Sequence, residues 1–173
     1  MTGYDILLKE KGDSDMATYK AIDVAKWFIA RNQTTVDTMG GEKMTLLKLL
    51  KLLYYAEGCS LALENGSLFN EDIVAWEHGP VVQEVYFNYP DAYNLSLDDD
   101  DLKAVDAINK NETDRSILEQ VFDVFGQYSA WALRNKTHEE TPWLEATNNG
   151  QKLNGIISRE TMKKYFHDNY LAS

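Results

Sequence analysis

The feature that most constrains this chain is the leucine-rich run "MTLLKLLKLLYYAEGCSLALENG", which begins at residue 44. Apolar residues occupy almost every side of its first half, a pattern typical of a helix that is buried all round. Asn65 and Gly66 provide a stop at its C-terminus. The run also carries Lys48, Lys51 and Glu57, and these charges argue against a membrane span. The sequence therefore predicts one central helix with the rest of the chain packed around it.

Further helical patterns lie on both sides of this run. The first starts from an N-cap at Thr18, and a polar connector at residues 32–43 follows it. Residues 112–136 carry the strongest amphipathic pattern, which predicts one long helix. Thr141 before Pro142 is the residue pair expected at the N-cap and first position of another helix. A last helix follows in the stretch "SRETMKKYFHDNYL".

Residues 71–86, "EDIVAWEHGPVVQEVY", change from strand to helix periodicity. The first half alternates β-type residues, which predicts a short β-strand or hairpin element near residues 68–78. Gly79 and Pro80 then break the pattern. Pro80 has a preset φ and no amide hydrogen, and both properties suit the first position of a helix. We therefore expect a helix to begin at Pro80.

The fold class that these patterns predict is mainly α. The chain has 173 residues, of which 44% are hydrophobic, enough for one full core and too few for two independent ones. We expect one compact helical domain over residues 16–173. Residues 1–15 are polar and of mixed charge, which predicts a flexible N-terminal extension outside the core. Without a signal-like N-terminus or a long apolar run, the chain is predicted to be cytoplasmic, with no membrane contact.

The charge of the chain is −11, and it is unevenly distributed. No lysine or arginine lies between Lys51 and Lys103, whereas that stretch holds eleven carboxylates. Such a field opposes phosphate backbones, so we predict no direct nucleic-acid binding. It would steer a basic protein partner toward the chain. Two alternatives stay open: the carboxylates form a solvated face, or the run Asp98–Asp101 serves as local capping of a helix.

Residue types that carry out catalysis or bind metals are present, but not in a spacing that defines a site. The single cysteine, Cys59, excludes an intramolecular disulfide and a multi-cysteine zinc site, and it falls in the predicted central helix. The three histidines belong to no nucleophile or zinc-binding pattern, and the glycines form no phosphate-binding loop. We therefore predict no catalytic residue, no metal and no cofactor. A hydrolase that uses Cys59 or a histidine is kept as a weaker alternative.

Aromatic residues are concentrated around the Gly-Pro break. Aromatic side chains anchor protein interfaces and also fill small cores, so the two roles have to be weighed at each position. Trp76 and Trp143 are assigned to the core. The tyrosines, at a loop edge, are candidates for partner contacts together with nearby acids. The predicted partner-binding residues are Glu71, Asp72, Glu84, Tyr86, Tyr89, Tyr93, Asp98 and Asp99.

Three blocks of the chain resemble a known family. The blocks are "LLKLLYYAEGCSLALENGSLF", "EDIVAWEHGPVVQEVY" and "LRNKTHEETPWLEA". Their order and spacing, from Thr18 to Phe166, are similar to the SocA-like antitoxin domain, also called Panacea, to which phage-associated GepA-type proteins belong. The family's recurrent positions, which serve as scaffold or contact, fall here on Trp76, His78, Gly79, Pro80, Val81, Thr137, His138, Glu139, Pro142 and Trp143.

The resemblance implies a helical domain that acts through protein contacts and has no catalytic centre. Family members neutralise a toxin encoded beside them by direct binding, often on prophages. The function we predict is therefore that of an antitoxin whose cognate toxin is basic. The alternative is a proteolytic adaptor or phage accessory protein that delivers a bound protein to an AAA+ protease. Self-association is left open, and the Gly-Pro junction is interpreted as architecture beside the contact surface.

Overall fold

The predicted mainly α fold class is confirmed by a computed structural model, which describes residues 19–171. Within that range the elements are α1 (Ala21–Met39), α2 (Leu46–Ala62), β1 (Val74–Trp76), β2 (Gly79–Val81), α3 (Gln83–Asn88), α4 (Asp99–Asn109), α5 (Glu112–Phe125), α6 (Ala130–Thr137), α7 (Thr141–Ala146), α8 (Arg159–Phe166) and a π-helical turn (His167–Leu171). The predicted extension at residues 1–15 and the predicted N-cap at Thr18 lie outside the described residues. None of the described helices is both long and apolar enough to cross a membrane.

The central helix that the sequence predicts is α2. Of its 17 residues 14 are buried, which leaves it with no continuous solvent face. Helices α1, α5, α6 and α8 pack around it. Thr45 caps its N-terminus by accepting a hydrogen bond from the Lys48 amide, and the helix ends at Ala62, just before the predicted stop. Cys59 is buried on this helix, as an apolar core position would be.

One buried charge on α2 joins three parts of the chain. The Glu57 carboxylate is fully buried, and burial raises its pKa. It accepts hydrogen bonds from Nε of Arg159 at 3.0 Å and from the Leu68 amide at 2.9 Å. The Arg159 guanidinium also donates to the carbonyls of Phe69 and Glu71. The start of α8 and the loop after α2 are therefore held to the central helix by one charge pair.

Strands β1 and β2 form an antiparallel hairpin with Glu77 and His78 at its turn. A second segment, residues 154–157, lies along the other edge of β1. Ala75 donates its amide hydrogen to the Gly155 carbonyl, and the Ala75 carbonyl accepts from the Asn154 amide, both at 2.8 Å. The outer edge of β1 is therefore occupied.

The expectation that a helix begins at Pro80 is wrong, because Pro80 lies in β2 and the next helix begins at Gln83. Pro80 is paired with Ala75, whose amide and carbonyl both point away toward residues 154–157. Pro80 therefore occupies a non-hydrogen-bonded position of the ladder, where its missing N–H costs nothing.

Three helix boundaries also differ from the sequence prediction. The polar connector is helical as far as Met39, where hydroxyls of threonines bond back to carbonyls one turn earlier. The pattern at residues 112–136 is two helices, since the chain breaks at Gly126 and Ser129 caps a new start. The N-cap of α7 is Glu140, so Thr141 already lies within the helix.

The contact between Gly58 and Phe166 generates a stability prediction. An ideal Cβ on Gly58 would lie 2.5 Å from Cε1 of the buried Phe166 ring. We expect Gly58→Ala to lower the free energy of unfolding by about 1–3 kcal/mol, because α8 would have to move off α2. Urea unfolding measures this value. Phe166→Leu in the same chain should relieve the clash, so strictly additive losses in the double variant would contradict the explanation.

Candidate partner-binding site

A pocket of about 380 Å³ opens between the first turns of α2 and the hairpin. Its walls are mostly apolar, with a few polar groups at the margin. The lining residues are Leu46, Leu47, Leu50, Lys51, Trp76, Glu77, His78, Val81, Tyr86, Ala92 and Asn154. A larger open groove beside α8, about 880 Å³, is lined mainly by charged and polar side chains. Apolar pockets with a few polar groups are the usual binding sites of proteins, so the smaller pocket is the better candidate.

Exposed aromatic rings surround this pocket. The ring centroids of Trp76 and Tyr86 lie 4.9 Å apart, and Phe87 packs 5.1 Å from Tyr86 while 71% of its surface stays exposed. Trp131, which is 55% exposed, lies 5.9 Å from the His78 ring at the hairpin turn. We call these four residues, Trp76, Tyr86, Phe87 and Trp131, the aromatic surface. Clustered exposed rings of this kind mark protein interaction sites.

Lys51 of the central helix α2 holds the hairpin from its buried side. Its side chain is fully buried, and Nζ donates a hydrogen bond to the Pro80 carbonyl at 3.0 Å. Burial, and to a smaller extent the charge of Arg134, lower the pKa of Lys51 to about 7. Gly79 has a φ of 105°, and an ideal Cβ there would lie 2.7 Å from Cε of Lys51 and 2.8 Å from Oγ1 of Thr137. Both the backbone and the space at this position therefore require glycine.

The recurrent positions of the third block, "LRNKTHEETPWLEA", hold the hairpin turn from the side. Nε2 of His138 lies 2.7 Å from the Glu77 carbonyl oxygen, and Nδ1 lies 2.7 Å from that of Arg134. The centroid of the His138 ring lies 4.0 Å from that of Trp143, and the Trp143 indole N–H donates a hydrogen bond to the Trp76 carbonyl at 3.0 Å. The two sequence blocks are therefore one structural unit.

Most of the recurrent positions serve this scaffold. Gly79, Pro80, Val81, Thr137, Pro142 and Trp143 are buried, whereas His78 and Glu139 are exposed. Trp143 is a core residue, as the sequence analysis assigns it. Trp76 is only half-buried and also faces the pocket.

Glu140 is a buried group that the sequence analysis does not single out. It accepts hydrogen bonds from the hydroxyls of Tyr55, at 3.0 Å, and Tyr170. Burial raises the pKa of Glu140 to about 6, although these hydrogen bonds act in the opposite direction. The carboxylate joins α2, the start of α7 and the π-helical turn. It lies in the scaffold below the site rather than on its surface.

The predicted partner-binding residues do not form one patch. Tyr86 belongs to the aromatic surface, Glu84 lies in the same helix, and Tyr93 follows the pocket residue Ala92 with 79% of its surface exposed. Tyr89 is half-buried beside α1, where burial raises its pKa.

The remaining acids of the predicted set are separate from the pocket or are used by the fold. Glu71 accepts a hydrogen bond from the Ala21 amide at 2.7 Å, at the start of α1. Asp98 forms a capping box with Asp101 at the start of α4, and Asp99 lies in the first turn. The interpretation of the acidic run as local capping is therefore correct for Asp98 and Asp101. Asp72 is exposed.

Phe87 and Trp131 are surface residues that the sequence analysis does not assign to the site. The one long helix predicted over residues 112–136 would place Trp131 among the apolar residues of its amphipathic pattern. The break at Gly126 changes the helical phase, so that Trp131 and Tyr128 point outward. The sequence signal for this break is Gly126, followed three residues later by Ser129, a residue type that commonly caps a new helix.

The lowered pKa of Lys51 generates a prediction about stability and pH. The pKa is about 7 in the folded chain and near 10.5 in the unfolded chain, so above pH 7 the unfolded chain binds more protons at this position. The free energy of unfolding therefore rises with pH. We expect the difference between the native protein and Lys51→Met to rise by about 2 kcal/mol from pH 7 to pH 9.

Urea unfolding at several pH values measures this difference. Lys110→Met, at an exposed position, is the matched control. If the difference in the free energy of unfolding between the native protein and Lys51→Met did not change with pH, the buried amine would keep its charge throughout the range.

Comparison with known proteins is consistent with this arrangement. The family model described as antitoxin SocA-like, Panacea domain, matches residues 49–144, more than half of the chain. The matched range begins in α2 and includes Lys51, the hairpin, the whole aromatic surface and Trp143. No curated protein and no solved structure matches the chain. The extent of the family match shows that this chain belongs to the SocA-like antitoxin, Panacea domain, family.

Proposed function

We propose that this protein is an antitoxin that neutralises a cognate toxin by binding it directly through the aromatic surface. The observation that carries the proposal is the position of this surface within the residues that match the antitoxin family. Membership of that family implies a protein partner and disfavours an enzymatic role. We propose that the pair acts in the cytoplasm, and the resemblance implies that such pairs are often carried on prophages.

The division between buried and exposed residues supports this function. Lys51, His138 and Trp143 hold the hairpin in place, while the rings of Phe87 in α3 and Trp131 in α6 lie near it and are exposed to solvent. A rigid support lowers the entropy lost on binding, and exposed aromatic rings supply large contact areas. A family that meets many toxins would keep such a scaffold and vary the exposed contacts.

Charge supports a basic toxin. Glu77 lines the pocket, and Glu84 is exposed in the helix that carries Tyr86 and Phe87. The chain has no lysine or arginine from residue 52 to residue 102. A partner with a positive surface would be attracted to this face and would bind faster at low salt.

Co-expression tests the function itself. The neighbouring gene product is expressed alone and with this protein, and growth and complex formation are measured. Recovered growth with a stable complex supports the antitoxin proposal. Growth arrest that this protein does not relieve, with no complex recovered, would overturn it. Disappearance of the toxin protein, lost when residues 1–15 are deleted although binding is kept, would indicate delivery to an AAA+ protease instead.

Charge reversal gives the quantitative prediction. We expect the triple variant Glu77→Lys, Glu84→Lys and Asp91→Lys to slow association with the toxin about tenfold at low ionic strength, with a smaller effect at high salt. Stopped-flow or surface-based kinetics measure the rate. Glu71 and Asp98 are left unchanged, because they cap helices α1 and α4.

A matched triple variant separates local from overall charge. Asp106→Lys, Asp123→Lys and Glu160→Lys change the net charge equally at exposed positions outside the acidic stretch. This control should keep most of the native rate. Equal slowing of both triple variants would show that only net charge matters, and an unchanged rate in the first would remove the electrostatic part of the proposal.

A further inference from the structure

We propose that the pocket beside the hairpin accepts one large apolar side chain from a partner segment that carries lysine or arginine within a few residues of it. This inference deepens the proposed antitoxin function and rests on it for the identity of the partner. The chemistry of the site itself comes from the walls, the strand edges and the margin of the pocket.

The size and walls of the pocket suit a single side chain. A volume of about 380 Å³ lies near the lower end of the range for ligand sites. Leu46, Leu47 and Leu50 of α2 line the pocket together with Val81 of β2 and with Ala92, whose carbonyl accepts a hydrogen bond from the Leu46 amide. Burying an apolar side chain among these groups would be favourable, whereas a polar side chain would lose its hydration there.

The pocket is formed before any partner arrives. Trp143 donates a hydrogen bond to the Trp76 carbonyl, and His138 contacts the Glu77 carbonyl. These two contacts hold the backbone of Trp76 and Glu77 in place. Residues 154–157 hold β1 from the other side. A partner side chain would therefore enter a shaped cavity without ordering the hairpin, which favours an anchor mode of binding.

Strand addition at this hairpin is not available to a partner. The outer edge of β1 is bonded to residues 154–157. On β2, Gly79 and Val81 pair with β1, and the outward position is Pro80, which has no N–H. The Pro80 carbonyl accepts the hydrogen bond from Lys51. Since neither edge offers free backbone groups, recognition must rely on side chains rather than on an added strand.

The margin of the pocket selects the charge of the partner. Glu77 lines the pocket, and Asp91 directly precedes the lining residue Ala92. Lys51, the lysine among the described lining residues, donates a hydrogen bond from its amine to the Pro80 carbonyl. An apolar anchor flanked by lysine or arginine would match this margin, whereas acidic flanks would be repelled.

Three capped hexapeptides test the proposal without the toxin. One has a central tryptophan among lysines, one has the tryptophan among glutamates, and one has alanine in place of tryptophan among lysines. Each is titrated into the ¹⁵N-labelled full chain, and chemical shifts are followed by NMR. We expect the lysine–tryptophan peptide to shift amides of Leu47, Trp76 and Ala92, with the other two peptides binding at least about tenfold more weakly.

Filling the pocket is the matched mutational test. Ala92→Phe should weaken binding of the lysine–tryptophan peptide about tenfold, because the new ring occupies the cavity. Ala107→Phe, at an exposed position of α4, is the control and should bind like the native chain. Leu47→Phe, at a half-buried lining position, provides a second filling variant if Ala92→Phe loses the dispersed spectrum of the folded chain.

The possible outcomes separate this inference from the function. Equal binding of all three peptides, or full binding by a folded pocket-filling variant, would overturn the pocket assignment. A variant that no longer binds the peptide but still neutralises the toxin would show that the pocket is not the site of contact with the toxin. Peptide binding by a chain that neutralises no neighbouring gene product would support the site and count against the antitoxin proposal.

Discussion

Polar groups on a helix with no solvent face determine how the rest of this chain is arranged. Helix α2 buries the amine of Lys51 and the carboxylate of Glu57, and the hydroxyl of Tyr55 is buried with them. An unpaired buried polar group costs about 1–3 kcal/mol, and a charge costs more. Each group therefore requires a partner from elsewhere in the chain. The partners are the Pro80 carbonyl, the Arg159 guanidinium and the Glu140 carboxylate, which place the hairpin, α8 and the start of α7 around the helix.

The same requirement links the core to the surface that we propose for partner binding. Because Lys51 holds Pro80 from below and Trp143 holds Trp76 from the side, the hairpin has little freedom to rearrange. The aromatic surface is therefore presented on a support whose geometry is set by the core. Changes at exposed rings such as Phe87 leave that support intact, whereas changes at Gly79 would disturb it. A domain built in this way can alter its partner without altering its fold.

The sequence predicts the core of this structure better than its hairpin. Apolar residues on all sides identify α2 as the buried central helix, because a helix with a solvent-facing side would carry polar residues there. Strands of three residues are too short for periodicity, and Pro80 suits a helix start as well as it suits a non-hydrogen-bonded strand position. The pairing of β1 with residues 154–157 decides that Pro80 takes the strand position and not the helix start. The sequence around Pro80 cannot indicate a contact with residues so far along the chain. Trp131 was misplaced for a related reason, because one break at Gly126 changes the phase of every later residue.

The acidic stretch shows why a count of charges in sequence overstates the field that a partner meets. Several of its eleven carboxylates pair with other groups of the chain itself. Glu57 pairs with Arg159, Glu64 with Lys163, Asp100 with Lys103 and Asp101 with Lys26, while Glu71 and Asp98 cap helices. The exposed charge near the hairpin is left to a few side chains, among them Glu77 and Glu84. Glu77 and Glu84 lie near Trp76 and Phe87, whereas the Arg134 guanidinium lies 4.9 Å from the centre of the Trp131 ring. The negative charge is therefore local to the hairpin side of the aromatic surface, and a local charge can orient a partner as well as attract it.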